Sequence, residues 1–145
     1  MFYNNFSQSE QCNSLTKDVV SEVMEHTSFD CMDIVLADFG EIQEDCLIHK
    51  VRPAIVVSSS RYNENSPVMQ LIPMSKKFKN MDAYYHIYID KDDCDGLNNS
   101  GVAMVEQITT VDRAHVVHYI GCIEDDRLIS KIQQAIVAQL GLEEF

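Results

Sequence analysis

The sequence of 145 residues lacks any apolar run long enough to cross a bilayer, because its apolar stretches are short and interrupted. Its first eleven residues also lack the basic start and apolar stretch of a signal peptide. We therefore expect a cytoplasmic protein with no membrane contact. Since 46% of the residues are hydrophobic, the chain can bury the core of one compact domain.

Paired cysteines are lacking as well. The five cysteines are odd in number and show no spacing typical of metal or redox sites: Cys12, Cys31, Cys46, Cys94 and Cys122. Free thiols in a reducing compartment are the simplest interpretation. Glycine-rich phosphate loops and nucleophile-elbow motifs are absent, so no cofactor is expected.

A metal site would need converging ligands, and one group of residues invites the comparison. His115 and His118 precede Cys122, but a strand over residues 116–120 would turn its side chains to alternate faces. We therefore expect no metal.

Positive charge is scarce overall and concentrated in one segment. The net charge of −12 argues against a protein that coats nucleic acid by charge alone. Residues 50–79 nevertheless carry a net charge of +5, from one acid and six basic residues: Lys50, Arg52, Arg61, Lys76, Lys77 and Lys79. This segment is a candidate phosphate-binding surface, and a solvated surface of uneven charge explains it equally well.

The chain divides into an N-terminal extension, residues 1–30, and a main domain, residues 31–145. Residues 1–12 are polar, and we expect them to be disordered. Apolar residues then recur at helical spacing over residues 15–24. A helix this short is marginal in water, so we expect it to pack on the main domain or on a partner.

The main domain is predicted to be mostly β, followed by one helix. Strands are predicted over residues 33–39, 53–58, 67–74, 84–89, 102–107 and 116–120, with a long polar loop over residues 40–51. Apolar residues from Leu128 to Leu140 line one face of a closing helix, and Gly141 ends it. We therefore predict an α+β fold: a small, SH3-like β-barrel with a C-terminal helix and an extra N-terminal helix.

Five short motifs, in order, resemble those of the MazF/PemK toxins of type II toxin–antitoxin systems. The longest is Val-Arg-Pro-Ala-Ile-Val-Val-Ser at residues 51–58, with a polar turn after it. The others lie at residues 33–38, 105–112, 120–121 and 140–142. None is specific alone, but their order over residues 33–142 is typical of the family.

The resemblance implies a barrel that dimerises and cleaves single-stranded RNA at short sequences without a metal. In such toxins the ribose 2′-hydroxyl attacks the adjacent phosphorus and leaves a 2′,3′-cyclic phosphate, and an antitoxin chain blocks the groove. The expected partners are therefore single-stranded RNA, a cognate antitoxin and a second copy of the chain.

Two residues fall on the family's catalytic positions. Arg52 matches the catalytic arginine, whose planar guanidinium can bind a phosphate through two hydrogen bonds. Ser75 stands where the family has a threonine, and it keeps the hydroxyl. From the residues alone, Arg52 could instead pair with acids of the preceding loop, and the Ser75 hydroxyl could bind its own backbone.

The RNA-binding candidates combine a base-reading amide, cations and an aromatic ring. Gln107 matches a family glutamine that contacts RNA, and its amide can read a base edge. The other candidates are Lys50, Arg61, Lys76, Lys77, Lys79 and Phe78, with Tyr62, Tyr84 and Tyr85 as further aromatic residues that could stack on bases.

The sequence departs from the family in ways that weaken RNA binding. The loop over residues 41–49 has three acids and no glycine, and Thr109 replaces an expected arginine. These differences keep a second hypothesis open: a catalytically weak or inactive binding module of the same fold. It could be a protein-targeting inhibitor, as CcdB is, or a regulatory homologue.

Overall fold

The structure is a computed structural model, and it describes residues 28–77 and 82–142. Within these residues seven strands form one antiparallel sheet: β1 (Asp33–Asp38), β2 (Val51–Val56), β3 (Val68–Ser75), β4 (His86–Ile89), β5 (Gly101–Met104), β6 (Thr109–Asp112) and β7 (Val116–Cys122). Two α-helices accompany them, α1 (Ser60–Asn63) and α2 (Asp126–Gln139). The predicted helix over residues 15–24 lies outside the described residues.

The strands follow the order β4-β5-β3-β2-β1-β7, and β6 also pairs with β3. β2 lies at the centre because Ala54, Ile55 and Val56 are fully buried and β-branched residues suit a strand. Val111 of β6 and Val116 of β7 contact the same apolar cluster as Ala54, so the sheet curls over on itself. The predicted mainly β fold is confirmed as a curled sheet, since no pairing joins β4 to β7 in the described part of the chain.

Each face of the sheet buries its own apolar cluster, because side chains alternate along a strand. Ile34, Ile55 and Ile72 lie on the face that α2 covers. Ala54 and Leu71 lie on the other face, inside the curl. Strand β2 contributes to both clusters, with Ile55 on one face and Ala54 on the other. Burial on both faces fixes the direction in which these side chains point.

Helix α2 confirms the closing helix predicted from the sequence. The Asp125 side chain accepts a hydrogen bond from the Arg127 N–H and caps the first turn. Leu128, Ile132 and Ala135 are the buried residues of the helix. Gly141 ends it in the left-handed region, with a φ of +69°.

The predicted strand over residues 102–107 is wrong in its second half. β5 ends at Met104, a 3-10 turn spans Val105–Gln107, and β6 then continues along the same edge of β3. Met74 faces Ala103 while Leu71 faces Thr109, which is three residues more than an unbroken strand would need. The apolar pattern hid this bulge, because only the pairing of β3 with both segments creates it.

No helix within residues 28–77 and 82–142 combines the length and the apolar character needed to span a membrane.

Candidate active site

Arg52 and Ser75 lie on neighbouring strands at the same end of the sheet. The register between β2 and β3 pairs Ala54 with Pro73, and extending it by two residues places Arg52 opposite Ser75. Residues that face each other across an antiparallel pair point to the same side of the sheet. The two predicted catalytic side chains therefore share one face at the edge where β3 ends.

The Arg52 guanidinium is held by the loop that precedes β2. Its Nε donates a hydrogen bond of 2.7 Å to the His49 carbonyl oxygen, and the residue is partly buried. This contact uses one N–H of the guanidinium, which has four others for a phosphate. Within residues 28–77 and 82–142, no hydrogen bond or ion pair joins Arg52 to an acid of the loop.

The Ser75 hydroxyl makes the local contact that the sequence left as the alternative to a functional role. Its Oγ accepts a 3.2 Å hydrogen bond from the backbone N–H of Lys77. Accepting that bond turns the hydroxyl towards the chain that leaves β3, while its hydrogen remains a donor.

Tyr88 extends the row that contains Arg52 and Ser75, and sequence reasoning missed it. Ser75 faces Val102 of β5, and Val102 faces Tyr88 of β4. Tyr88 is 40% exposed, and its hydroxyl donates to an Asp90 carboxylate oxygen at 3.1 Å. Its alternation between buried Ile87 and Ile89 was the available signal for an outward aromatic ring.

Gln107 contacts the loop between β1 and β2 instead of open solvent. Its side-chain Nε2 donates to the Cys46 carbonyl at 2.9 Å, and its Oε1 accepts from the Ile48 N–H at 3.3 Å. The bulge between β5 and β6 aims Gln107 at this loop. Both groups that could read a base edge are therefore occupied by the protein's own backbone.

His49, next to Ile48, forms a pair with Asp45 four residues earlier. The imidazole Nε2 lies 2.7 Å from the Asp45 Oδ1, and the His49 side chain is 13% exposed. Its other ring nitrogen, Nδ1, is buried and has no hydrogen-bond partner among the described residues. The His49 imidazole lowers the pKa of the Asp45 carboxyl, and the Leu47 N–H contributes further.

The two ends of the loop, residues 39–50, are joined by backbone hydrogen bonds that form its neck, and acidic side chains lie around the loop. Phe39 N–H donates to the Lys50 carbonyl at 2.9 Å, and Lys50 N–H donates to the Gly40 carbonyl at 2.7 Å. Two surface depressions of about 550 and 400 Å³ flank it. Asp38 lines both; Glu41 lines the first and Asp112 the second, so each wall carries acids.

The remaining cationic and aromatic candidates are only partly brought together. Lys76 and Lys77 are exposed and directly follow Ser75, and Lys50 lies at the neck of the loop with a positive φ of 69°. Arg61 lies in α1, beyond the opposite end of β2, so it is separated from Arg52 by the length of that strand. Phe78 and Lys79 lie outside the described residues.

The three tyrosines named as stacking candidates also lie in two separate places. Tyr62 belongs to α1, whereas Tyr84 is 59% exposed just before β4. The Tyr84 and Tyr85 rings meet edge to face at 5.1 Å, and Tyr85 packs edge to face on the His86 ring at 4.8 Å.

His86 forms a second histidine–carboxylate pair beside Gln107. Its Nε2 lies 3.1 Å from Oε1 and 3.0 Å from Oε2 of Glu106, and the two side chains are 10% and 24% exposed. The pair ties β4 to the bulge that carries Gln107. Within the described segments, no three histidine, cysteine or acidic side chains lie close enough together to hold a metal ion.

The fold has well-matched counterparts among solved structures. MazF from Deinococcus radiodurans matches with a TM-score of 0.66 at 20% identity, over 79% of this chain and 97% of that one. An endoribonuclease from a mycobacterial species matches at 0.63 and 16%, over 80% and 94%. A mycobacterial endoribonuclease in complex with its cognate antitoxin matches at 0.64 and 16%, over 79% and 97%.

At these identities the likeness shows the fold alone. The sequence gives the family: residues 30–140 match the PemK-like, MazF-like toxins of type II toxin–antitoxin systems. That match covers most of the chain, including β1 to β7 and helix α2. The chain therefore belongs to the PemK-like and MazF-like toxin family of type II toxin–antitoxin systems.

Proposed function

We propose that this chain is a cytoplasmic, metal-independent endoribonuclease that cuts single-stranded RNA at short sequences. The observation that carries the proposal is the register of β2 and β3, whose extension directs Arg52 and Ser75 to one face of the sheet. Membership of the toxin family supports it, as does the likeness in fold to a mycobacterial endoribonuclease.

The proposed reaction is an attack by the ribose 2′-hydroxyl on the adjacent phosphorus. The bond to the 5′-oxygen breaks, and a 2′,3′-cyclic phosphate remains on the upstream fragment. Arg52 would hold the non-bridging oxygens and stabilise the charge that grows on them in the transition state. The Ser75 hydroxyl would donate a hydrogen bond to the same phosphate.

Substrate binding would use the surface around this edge. Lys50, Lys76 and Lys77 would neutralise neighbouring phosphates, and Gln107 would read a base edge once the loop has released it. Phe78, Lys79 and Arg61 stay predictions as RNA contacts. We assign these roles to a toxin domain of residues 31–145, with residues 1–30 as an extension.

We further propose that the protein acts as a homodimer and is inhibited by a cognate antitoxin. Neither of the two surface depressions beside the loop is lined by Arg52, Ser75 or Gln107, and a second copy would complete a groove over them. The likeness to a toxin solved with its cognate antitoxin supports the second partner. A monomer in sedimentation at micromolar concentration would contradict the dimer.

One observation favours the second candidate, an inactive binding module of the same fold. The loop occupies both hydrogen-bonding groups of Gln107, and Glu41, Glu44 and Asp45 add negative charge there. Such a module would bind a protein partner tightly while showing neither RNA cleavage nor salt-dependent affinity for RNA.

The experiment uses the full chain, a long single-stranded RNA and EDTA. We expect cleavage to give 2′,3′-cyclic phosphate ends, and the Arg52→Ala variant to be about 10³-fold slower, since it loses the group that stabilises the transition state. Arg127→Ala, which removes an exposed arginine from α2, serves as the matched control and should cleave normally. Intact RNA, or equal cutting by the Arg52 variant, would refute the proposal.

A further inference from the structure

The proposed reaction requires a group that can accept the 2′-hydroxyl proton near neutral pH. The Arg52 guanidinium stays charged at any such pH, and a serine hydroxyl like that of Ser75 is not a base. Imidazole is the side chain whose ordinary pKa lies closest to neutrality. The two predicted catalytic residues therefore leave the proton acceptor unassigned.

His49 lies between the residues proposed to act on RNA. Its carbonyl oxygen accepts the hydrogen bond from Arg52 Nε at 2.7 Å. The neighbouring residue, Ile48, donates its backbone N–H to Gln107. His49 is thus placed on the short stretch of loop that bridges the phosphate-binding and base-reading candidates.

The imidazole of His49 has the arrangement expected of an oriented base. Its Nε2 faces the Asp45 carboxylate at 2.7 Å, which in the neutral ring favours the tautomer with its hydrogen on Nε2 and its lone pair on Nδ1. Nδ1 is buried and lacks a hydrogen-bond partner within the described residues. Unsatisfied buried polar atoms are rare and unfavourable, and catalytic need is one established reason for keeping them.

On the basis of the function proposed above, we propose that His49 is the catalytic base for RNA cleavage, with Asp45 as its positioning residue. The 2′-hydroxyl proton passes to His49 Nδ1 while the 2′-oxygen forms its bond to phosphorus. The bond from phosphorus to the 5′-oxygen breaks, and that oxygen takes up a proton from solvent. The imidazolium then returns its proton to solvent, so no co-reactant is needed.

His49 Nδ1 is buried in this structure, and Gln107 binds the loop that carries His49. Its amide binds the loop at the Cys46 carbonyl and the Ile48 N–H. A base edge of RNA presents the same pairing of acceptor and donor, so RNA bound to Gln107 competes with the loop. Release of the loop exposes His49 only when substrate is engaged.

The charged groups around the imidazole set the expected pH dependence. Asp45 faces it from the same loop, Arg52 contacts its backbone from β2, and Lys50 is the next residue in the chain. A general base must be unprotonated to act, so kcat should fall as the solution becomes acid. Asp45→Asn removes the carboxylate that faces the imidazole, so it should change the pH dependence of kcat.

The test compares His49→Gln and Asp45→Asn with the wild-type chain. Cleavage rates are measured from acid to neutral pH, and binding is measured with the 2′-deoxy version of the RNA segment that the wild type cuts. We expect His49→Gln to lower kcat about 100-fold or more while the Kd for this analogue stays within about twofold. The matched control, His115→Gln, removes an exposed histidine and should change neither value.

Three results would overturn the inference. One is cleavage by His49→Gln within about threefold of wild type with an unchanged pH profile. Another is a loss of cleavage matched by an equal loss of binding, because that describes a structural residue. The third, no cleavage by the wild type, would refute the proposed function itself and the role of His49 with it.

Discussion

The two ends of strand β2 differ in how they treat polar groups. Beyond its C-terminal end, Asn63 is fully buried and both groups of its side-chain amide are hydrogen-bonded. Ser58 Oγ donates to Asn63 Oδ1 at 2.6 Å. Asn63 Nδ2 donates to the Phe29 carbonyl at 2.9 Å and to the Ser58 carbonyl at 3.2 Å. Arg113 stacks over the Phe29 ring and donates to the Asn63 carbonyl, which closes this end.

The N-terminal end of β2 is the opposite. Here the loop exposes about two-thirds of Ile42 and Leu47, holds Lys50 at a positive φ and leaves His49 Nδ1 without a partner. Sites that bind or react keep such unfavourable features, whereas purely structural polar groups are satisfied. The difference supports the proposal that residues 45–52 act on RNA, whereas the polar groups of residues 58–63 are satisfied within the fold.

The largest expected effect follows from removing the buried hydrogen bonds at the C-terminal end of β2. Asn63→Ala should lower the free energy of unfolding by about 3 kcal/mol, because the buried Ser58 hydroxyl loses its acceptor and the Phe29 carbonyl loses the donor Asn63 Nδ2. Denaturant unfolding measures the change. Asn65→Ala, at an exposed neighbouring position, is the control; a change below about 1 kcal/mol at Asn63 would show that the two ends do not differ.

The next prediction concerns the loop at the N-terminal end of β2, which Gln107 binds. Gln107→Leu removes both hydrogen bonds to the loop, each worth about 1 kcal/mol, so exchange of the Ile48 amide should rise about tenfold to thirtyfold. Hydrogen exchange measured by NMR tests this. The exposed helix variant Gln134→Leu should leave the Ile48 amide unchanged, and equal protection in both variants would show that Gln107 does not hold the loop.

Ser75 offers a smaller change at the same end. Ser75→Ala should slow RNA cleavage about tenfold, because the phosphate loses one hydrogen bond in the transition state. Ser75→Thr restores the hydroxyl with a more restricted rotamer and should cleave at least as fast as wild type. Equal rates for the alanine and threonine variants would restrict Ser75 to its backbone contact with Lys77.

The smallest expected effect is the response of the loop to low pH through Asp45. The His49 imidazole, followed by the Leu47 N–H, lowers the pKa of Asp45, so the native loop favours its charged form. This contribution is complete above the unfolded pKa and is lost as pH falls through the lowered native pKa. An NMR titration should show the Leu47 amide shift only below the usual carboxyl range; Glu41→Gln should keep this response and Asp45→Asn should abolish it.

The sequence by itself determined the fold class and the family. Short apolar runs along β1 to β3 are typical of buried strands, and the helical spacing of apolar residues in α2 requires burial on one face, so local pattern was sufficient. The same motifs located Arg52 and Ser75, because each sits at the end of a recognisable strand. The sequence also showed that the loop before Arg52 is acidic and poor in glycine.

Only the tertiary structure decided how these residues are used. The bulge at Val105–Gln107 comes from β3 pairing with two segments on one edge, which no local pattern records. That bulge turns Gln107 onto the loop, through contacts between residues about 60 positions apart in the chain. The His49 carbonyl of the same loop binds Arg52, which links Gln107 to the predicted phosphate-binding residue. Sequence reasoning treated the loop only as an obstacle to RNA, since its contacts with Gln107 depend on strand pairing elsewhere.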